Sequence, residues 1–529
     1  MKNADTIADP IEFEIFKNLF LSIAEEMGIT LCRTGFSPNI KERLDYSCAL
    51  YDERGQAIAQ GDHMPVHLGA MPLSVQAAIE HVAMDPGDVV ILNDPFRGGT
   101  HLPDITLVQP IFMEGEATPV FYVANRAHHS DVGGMSPGSM PLAQEVFQEG
   151  LIIPPIKLVR RGETCGDIMA LILANVRTPI EREGDLSAQI ASNRVAEERL
   201  RAIVARYGLE RVRHYTRAVQ DYAERIMRHT IATIPDGEYS YEDVIDDDGF
   251  GRQRISIRAT VRITGDSAEV DFTGSDPQTT GGVNANFAIT LAASLYCFRC
   301  LVQEDVLYNS GIGRAVHVIA QPGTIVNAQH PAAVAAGNVE ASQRITDVVL
   351  GALAKALPDV IPAASQGTMN NVTLGGTNPR DGSPFAYYET MAGGMGGRNG
   401  LPGLSGVHTH MSNTRNTPIE AIEHYLPVRI RGYRLRQGSG GGGRYPGGEG
   451  ILREYEMLTD TSITLLSERR TSQPYGLRGG QPGARGRNTV IRADGTEELV
   501  AAKTRLQLKA GDRLRIESPG GGGFGVEDE

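Results

Sequence analysis

Lysine is scarce in this 529-residue chain: there are seven, and none follows a glycine. A phosphate-binding loop of the Gly-Lys-Ser/Thr type is therefore excluded, because its lysine has to reach the phosphates from the end of a glycine-rich turn. Cysteine is scarcer still. Cys32, Cys48, Cys165, Cys297 and Cys300 are too few and too scattered for a disulfide framework and read as reduced, mostly buried thiols. Cys297 and Cys300 form one CxxC inside the apolar run ASLYCFRCLV, with no second pair to complete a zinc site, so core packing is expected. A long apolar run is missing too. The first periodic segment, Ile11 to Met27, is broken by Glu12, Glu14, Lys17, Glu25 and Glu26, which suits neither a signal-peptide core nor a membrane span; a cytoplasmic location is expected. Positive charge is in deficit, at a formal −14, and the basic residues form no stripe, which argues against a nucleic-acid partner.

What is present suggests a multi-lobed α+β protein, since a chain this long exceeds one ordinary core. Asp9-Pro10 reads as a helix start, and Ile11, Ile15, Leu19, Ile23 and Met27 recur at fourfold spacing until Gly28 ends the pattern. Short apolar runs (YSCALYD, DVVILND, ITLVQPIFM, PVFYVANRA) punctuated by Gly, Pro and Asp then read as buried strands. The expected organisation is an N-terminal lobe over 1–184 and an Arg/Glu/Ala-rich helical hairpin over 185–235, interrupted at Gly208. A central α+β lobe over 236–430 and a Gly-rich β lobe over 431–529 complete it. Within the central lobe, RISIRATVRITGDSAEVDF alternates as a half-solvated hairpin does, and apolar helices are expected from about Ala285 to Val302 and Val339 to Leu357. Three glycine-dense runs, MAGGMGGRNGLPGLSG, GSGGGGRYPGGEG and SPGGGGFG, contain Met, Arg, Tyr and Pro rather than serine linkers, and read as ordered turns near a site or interface. Gly438, Gly440 and Gly443 match GxGxxG, but no helix pattern follows to hold a phosphate.

Chemistry concentrates in NDPFRGGTHLPDITLV (93–108) and NRAHHSDVGG (125–134). His101 and Asp104 stand three apart in a Gly-flanked turn, and His128, His129 and Asp131 follow a strand-like segment. Two imidazoles and a carboxylate suit Zn²⁺, Mn²⁺ or Fe²⁺ better than Ca²⁺ and leave a position open. Neighbours on a strand point to opposite faces, so His128 and His129 do not both enter one shell easily. GDHMPVH (Asp62, His63, His67) adds to the clustering. A second polar stretch, GVHTHMSNTRNTPIEAIE, with His408, His410, Asn413, Asn416 and Glu420, reads equally as a site or as a helix cap at Thr417-Pro418.

These stretches, with ERLDYSCALYDERGQAIAQGDHMPVHLGAM, Asn309 to Gly311 and HTHMSNTRNTPIEAIE, resemble the hydantoinase B/oxoprolinase family over nearly the whole chain. That resemblance implies an ATP-dependent cyclic-amide hydrolase. A hydantoinase A-type ATPase subunit with an actin-like fold binds ATP with Mg and phosphorylates the substrate, so a hetero-oligomer is expected. The family's metal centre maps onto His101, Asp104 and His128, holding a divalent Zn, Mn or Fe. His129, Asp131 and His63 are then expected to orient a ligand or move a proton, and the third glycine run to shape a channel facing the partner. Two alternatives follow from the same resemblance, a ketone carboxylase subunit and a non-catalytic scaffold for the ATPase. The carboxylase is disfavoured by the lack of a longer C-terminal portion.

Overall fold

The computed structural model describes residues 9–61 and 63–527. Asp9 caps the first helix by accepting from the amides of Ile11 and Glu12, and Pro10 opens it. The helix then runs through Gly28 to Thr34. Its buried stripe is Phe13, Phe16, Phe20, Ile23, Met27 and Leu31, whereas Ile11 is 74% exposed and Ile15 42%. The fourfold Ile/Leu pattern therefore shares only its last two members with the true core face. The aromatic stripe wins because it buries more surface, with the Phe16 ring stacked 4.4 Å from that of Tyr215. Gly28 does not stop the helix; a Cβ there would sit 2.7 Å from the His63 ring, so its smallness admits that imidazole.

The N-terminal strands form one seven-stranded antiparallel sheet. They are β1 (Tyr46–Asp52), β2 (Ala57–Gln60), β3 (Val89–Leu92), β4 (Asp104–Ile111), β5 (Phe121–His128), β6 (Ile156–Arg160) and β7 (Glu163–Thr164), in the order β2-β1-β5-β4-β3-β6-β7. Side-chain alternation divides the strands between two cores. Cys48, Leu50 and Val123 pack under the first helix, while Ala49, Tyr51 and Ala124 pack under the helix Met71–His81. Both faces are covered, which is why these strands read as continuous apolar runs.

Helices Pro179–Tyr207 and Leu209–Ala232 meet at Gly208, whose φ of 81° and lack of a side chain allow a one-residue corner, and both lie against the first helix. Ile255, Ile257, Ala259, Val261 and Ile263 are all buried, on a strand that turns at Gly265-Asp266 into Ser267–Asp271. Helices Phe287–Arg299 and Ser342–Ala356 belong to the same core, and Cys297 is buried in the first of them. All five cysteines are free thiols. Among the described residues, no helix is long and apolar enough to cross a membrane.

Two further antiparallel sheets, one joining 371–389 to 461–508 and the other built within 428–517, flank the glycine-dense runs, which pair with one another largely through backbone. Gly394 donates to Pro519, Gly397 to Gly522, Gly441 to Gly521, Gly448 to Met395 and Gly521 to Gly448. The approach is too close for side chains. A Cβ on Gly521 would lie 2.0 Å from the Met395 carbonyl oxygen, and one on Gly448 1.9 Å from that of Leu404. The runs are ordered, as expected, but residues 518–524 are buried inside this bundle and do not shape an open channel. The GxGxxG amides are also occupied. Gly438, Ser439 and Gly440 all donate their backbone N–H to the Glu449 carboxylate, at 2.6–3.1 Å, so the chain's own anion fills the cradle.

Candidate metal centre

Asp104 is the first residue of β4 and His128 the last of β5, and the antiparallel register sets them directly opposite each other. Cross-strand partners share a sheet face, so a separation of 24 residues becomes a contact. His101 reaches the same point from the turn before β4. Its Nε2 lies 3.0 Å from Asp104 Oδ1, and His128 Nδ1 lies 3.2 Å from that oxygen. The ligand atoms of these three residues fall within 4.8 Å of one another, fully buried.

The other carboxylate oxygen is held from two sides. Thr100 donates its hydroxyl at 2.7 Å, and His67 Nε2 stands at 3.3 Å, its Nδ1 meeting the Ser47 hydroxyl at 3.1 Å. Burial would raise the Asp104 carboxyl, but the charges of His101 and His67 and the imidazole hydrogen bonds overcome it, holding the group well below the usual carboxylate range. Burial lowers His128. Arg126 lies buried within reach of the Asp104 charge, donating to Thr106 and Ser74.

The surrounding shell orients each ring. His101 Nδ1 faces the Ala335 carbonyl at 3.4 Å, and the amides of Val334 and Ala335 donate to Glu149 Oε1 at 2.8 Å. Burial pushes the Glu149 carboxyl up to about 8. The His128 ring stacks on Tyr388, with centroids 4.5 Å apart. Tyr388 donates to Asn371, and Asn371 to Glu340, whose carboxyl burial likewise raises to about 8.

The set fits a divalent cation on its chemistry. Metal–nitrogen and metal–oxygen bonds of about 2.0–2.2 Å put adjacent ligands roughly 3.0–3.4 Å apart, which the 3.0 and 3.2 Å separations match. With the His101 Nδ1–H turned to Ala335, Nε2 is the ring atom aimed at the carboxylate oxygen, and a cation between them would take the place of its proton.

The structure brings together His101, Asp104 and His128, and it leaves the other three expected residues elsewhere. His129 points through the opposite sheet face, where its Nε2 meets Gln189 Oε1 at 2.9 Å; burial lowers it to about 4. Asp131 is tied to Arg177 at 2.9 Å and accepts the amides of Gly133 and Gly138, which makes it the brace of its own loop. His63 accepts the Cys48 amide through Nδ1 and packs on Tyr46; burial lowers it to about 4. None of the three touches Asp104. Asp62 lies outside the described residues.

His67 was visible only as part of a cluster, since its two-sided grip between Ser47 and Asp104 depends on tertiary packing. In the second polar stretch no hydrogen bond or ion pair among the described residues joins His408 or His410 to Asp104. His408 meets Ser412, and Asn416 donates to Glu389 and Thr390. The helix Ile419–Tyr425 starts without a side-chain cap, because its N-cap position is Pro418, which has no side-chain acceptor; the Thr417 hydroxyl accepts from Tyr387.

Comparison with known proteins adds the lineage. The model of the hydantoinase B/oxoprolinase family matches residues 9–527. A 5-oxoprolinase of Arabidopsis thaliana is 39% identical over 554 residues, covering 99% of this chain and 42% of its own length. The chain thus spans about two fifths of that relative. The ATP-dependent caprolactamase of Pseudomonas jessenii superposes with a TM-score of 0.91 at 30% identity, covering 98% of this chain and 92% of its own. An acetone carboxylase superposes with a TM-score of 0.90 at 19% identity, covering 98% of this chain and 76% of its own, a likeness of fold alone.

Proposed function

The chain belongs to the hydantoinase B/oxoprolinase family, and on that premise we propose that it is the metal-bearing, ring-opening component of an ATP-dependent cyclic-amide hydrolase. The observation that carries this reading is the buried Asp104 carboxylate ringed by His101, His128 and His67, in a chain whose glycine-rich amide cradle is already filled by Glu449. ATP use is assigned to a hydantoinase A-type ATPase subunit. In the proposal that subunit phosphorylates the amide oxygen, breaking the resonance that makes a lactam or hydantoin inert and creating a leaving group.

His101, Asp104 and His128 would hold the ion. A divalent cation supplies Lewis acidity to an oxygen placed beside it. The protein does the rest by position. Asp104 stays anionic, His67 and Thr100 fix its rotamer, and Ala335 fixes the His101 tautomer. Burial of the whole group excludes bulk water from a labile phosphorylated substrate.

Reconstitution tests this. The chain mixed with an A-type subunit, Mg-ATP and 5-oxoproline, a hydantoin or caprolactam is expected to open the ring with ATP consumption, and either subunit alone to do neither. Ring opening by the lone chain without ATP would refute the division of labour. Incorporation of bicarbonate into a ketone by the mixture would replace the hydrolase with a carboxylase.

A further inference from the structure

Helix Ser342–Ala356 is preceded by a single π-helical turn, Gly337–Ala341. Such turns insert one residue into a helix and recur at functional sites, because they aim a side chain that a regular helix would turn away. Here the inserted turn carries Asn338. Its side-chain amide nitrogen lies 3.0 Å from His101 Nε2, the atom that also faces Asp104 Oδ1. Its other amide atom, Oδ1, is buried and has no hydrogen-bond partner. A buried amide oxygen left unmatched is destabilising, so it calls for an explanation.

The turn is also rigidly placed. Gly337 donates to the Gly282 carbonyl, and a Cβ on it would lie 1.8 Å from the Asn284 carbonyl oxygen, so the backbone is pressed against the 282–284 loop. The Asn284 side chain in turn holds Thr279, Gly281 and Ala333.

Resting on the metal reading above, we propose that Asn338 is a fourth protein ligand, binding the ion through Oδ1. Amide oxygen and nitrogen are nearly the same size, and half a turn about the last side-chain bond exchanges them. Once an ion takes the His101 Nε2 lone pair, the amide N–H loses its acceptor, and the oxygen is the better atom to present. The 3.0 Å separation from Nε2 matches the spacing of adjacent ligands on one ion. Two imidazoles, a carboxylate and an amide oxygen give a set harder than a two-His, one-carboxylate site, which favours Mn²⁺ or Fe²⁺ relative to Zn²⁺.

The experiment is calorimetric titration of MnCl₂ and ZnCl₂ into the chelator-stripped full chain, with Asn338→Ala, Asn338→Leu and Asn338→Asp beside the wild type. The leucine variant keeps the volume and removes both polar atoms, so it decides the question where alanine does not fold. Expected are a loss of Mn²⁺ affinity of about tenfold or more in the alanine and leucine variants, a smaller loss for Zn²⁺, and retention in the aspartate variant. The electron paramagnetic resonance spectrum of bound Mn²⁺ should change in step. Unchanged Mn²⁺ affinity in a folded alanine or leucine variant overturns the proposal and leaves the metal reading standing. Failure of the wild type to bind either ion overturns both.

Discussion

Replacing Asp104 by alanine should destabilise the protein even when no metal is present. Asp104 is the carboxylate that Thr100, His67, His101 and His128 all face, and its charge also reaches Arg126, a guanidinium with no solvent exposure that donates to the Thr106 and Ser74 hydroxyls. Removing a buried acceptor leaves its partners unsatisfied, at about 1–3 kcal/mol. Thr100 loses its acceptor as well, worth about 1 kcal/mol. The expected loss for Asp104→Ala is therefore about 2–4 kcal/mol. His101→Ala removes a ring without removing that acceptor and should cost less. The assay is urea unfolding of chelator-treated protein, followed by circular dichroism. If Asp104→Ala stays within about 1 kcal/mol of wild type, or His101→Ala costs more, the electrostatic account of this site is wrong.

In metal binding, His101→Ala and His128→Ala should each lose the ion, whereas His129→Ala should keep it because that ring faces Gln189; inductively coupled plasma analysis of the folded variants distinguishes them. Calorimetry with Mg-ATP should show no micromolar binding by the chain alone, and micromolar binding would mean the Glu449-filled cradle had been misjudged. Glu149 predicts a pH effect. Its folded-state carboxyl sits near 8 through burial, above the ordinary 4.5, so its contribution is full below about 4.5 and lost as pH rises toward 8. Wild-type stability should thus fall relative to Glu149→Gln between pH 5 and 8 and run parallel to it above; parallel curves throughout would count against the shift. Finally, Gly521→Ala should fail to fold or lose more than about 3 kcal/mol by overpacking, while Gly166→Ala, which meets nothing within 4 Å, should be neutral or slightly stabilising in thermal melts.

The His101–Asp104–His128 cluster was legible in the sequence to the extent that it is local. The three-residue step from His101 to Asp104 survives folding as a contact, and the strand pattern around residues 104–111 and 121–128 brings in His128. What sequence periodicity does not carry is register, and with it which of His128 and His129 faces the site. Asn338 was invisible because it lies 237 residues from His101 and depends on an inserted helical turn. The first helix shows the opposite failure: two overlapping apolar stripes existed, and only packing against Tyr215 chose between them. The glycine bundle had little side-chain pattern to read, since most of its cohesion lies in backbone groups that every residue possesses.

That bundle also imposes an order of events during synthesis. Its central segment, 518–525, is made more than 100 residues after 391–406, yet the earlier runs send amides to Pro519, Gly521 and Gly522. Until then those amides can bond only to water, and the Tyr445 ring has not yet met Phe524 of the later segment. Closure is therefore a late, all-or-none event with high sequence separation, slow by loop-closure entropy. The glycine bundle acts as a lock that segment 518–525 turns, and a chain cut before that segment should be vulnerable to proteolysis at 391–450 while its seven-stranded sheet is already complete.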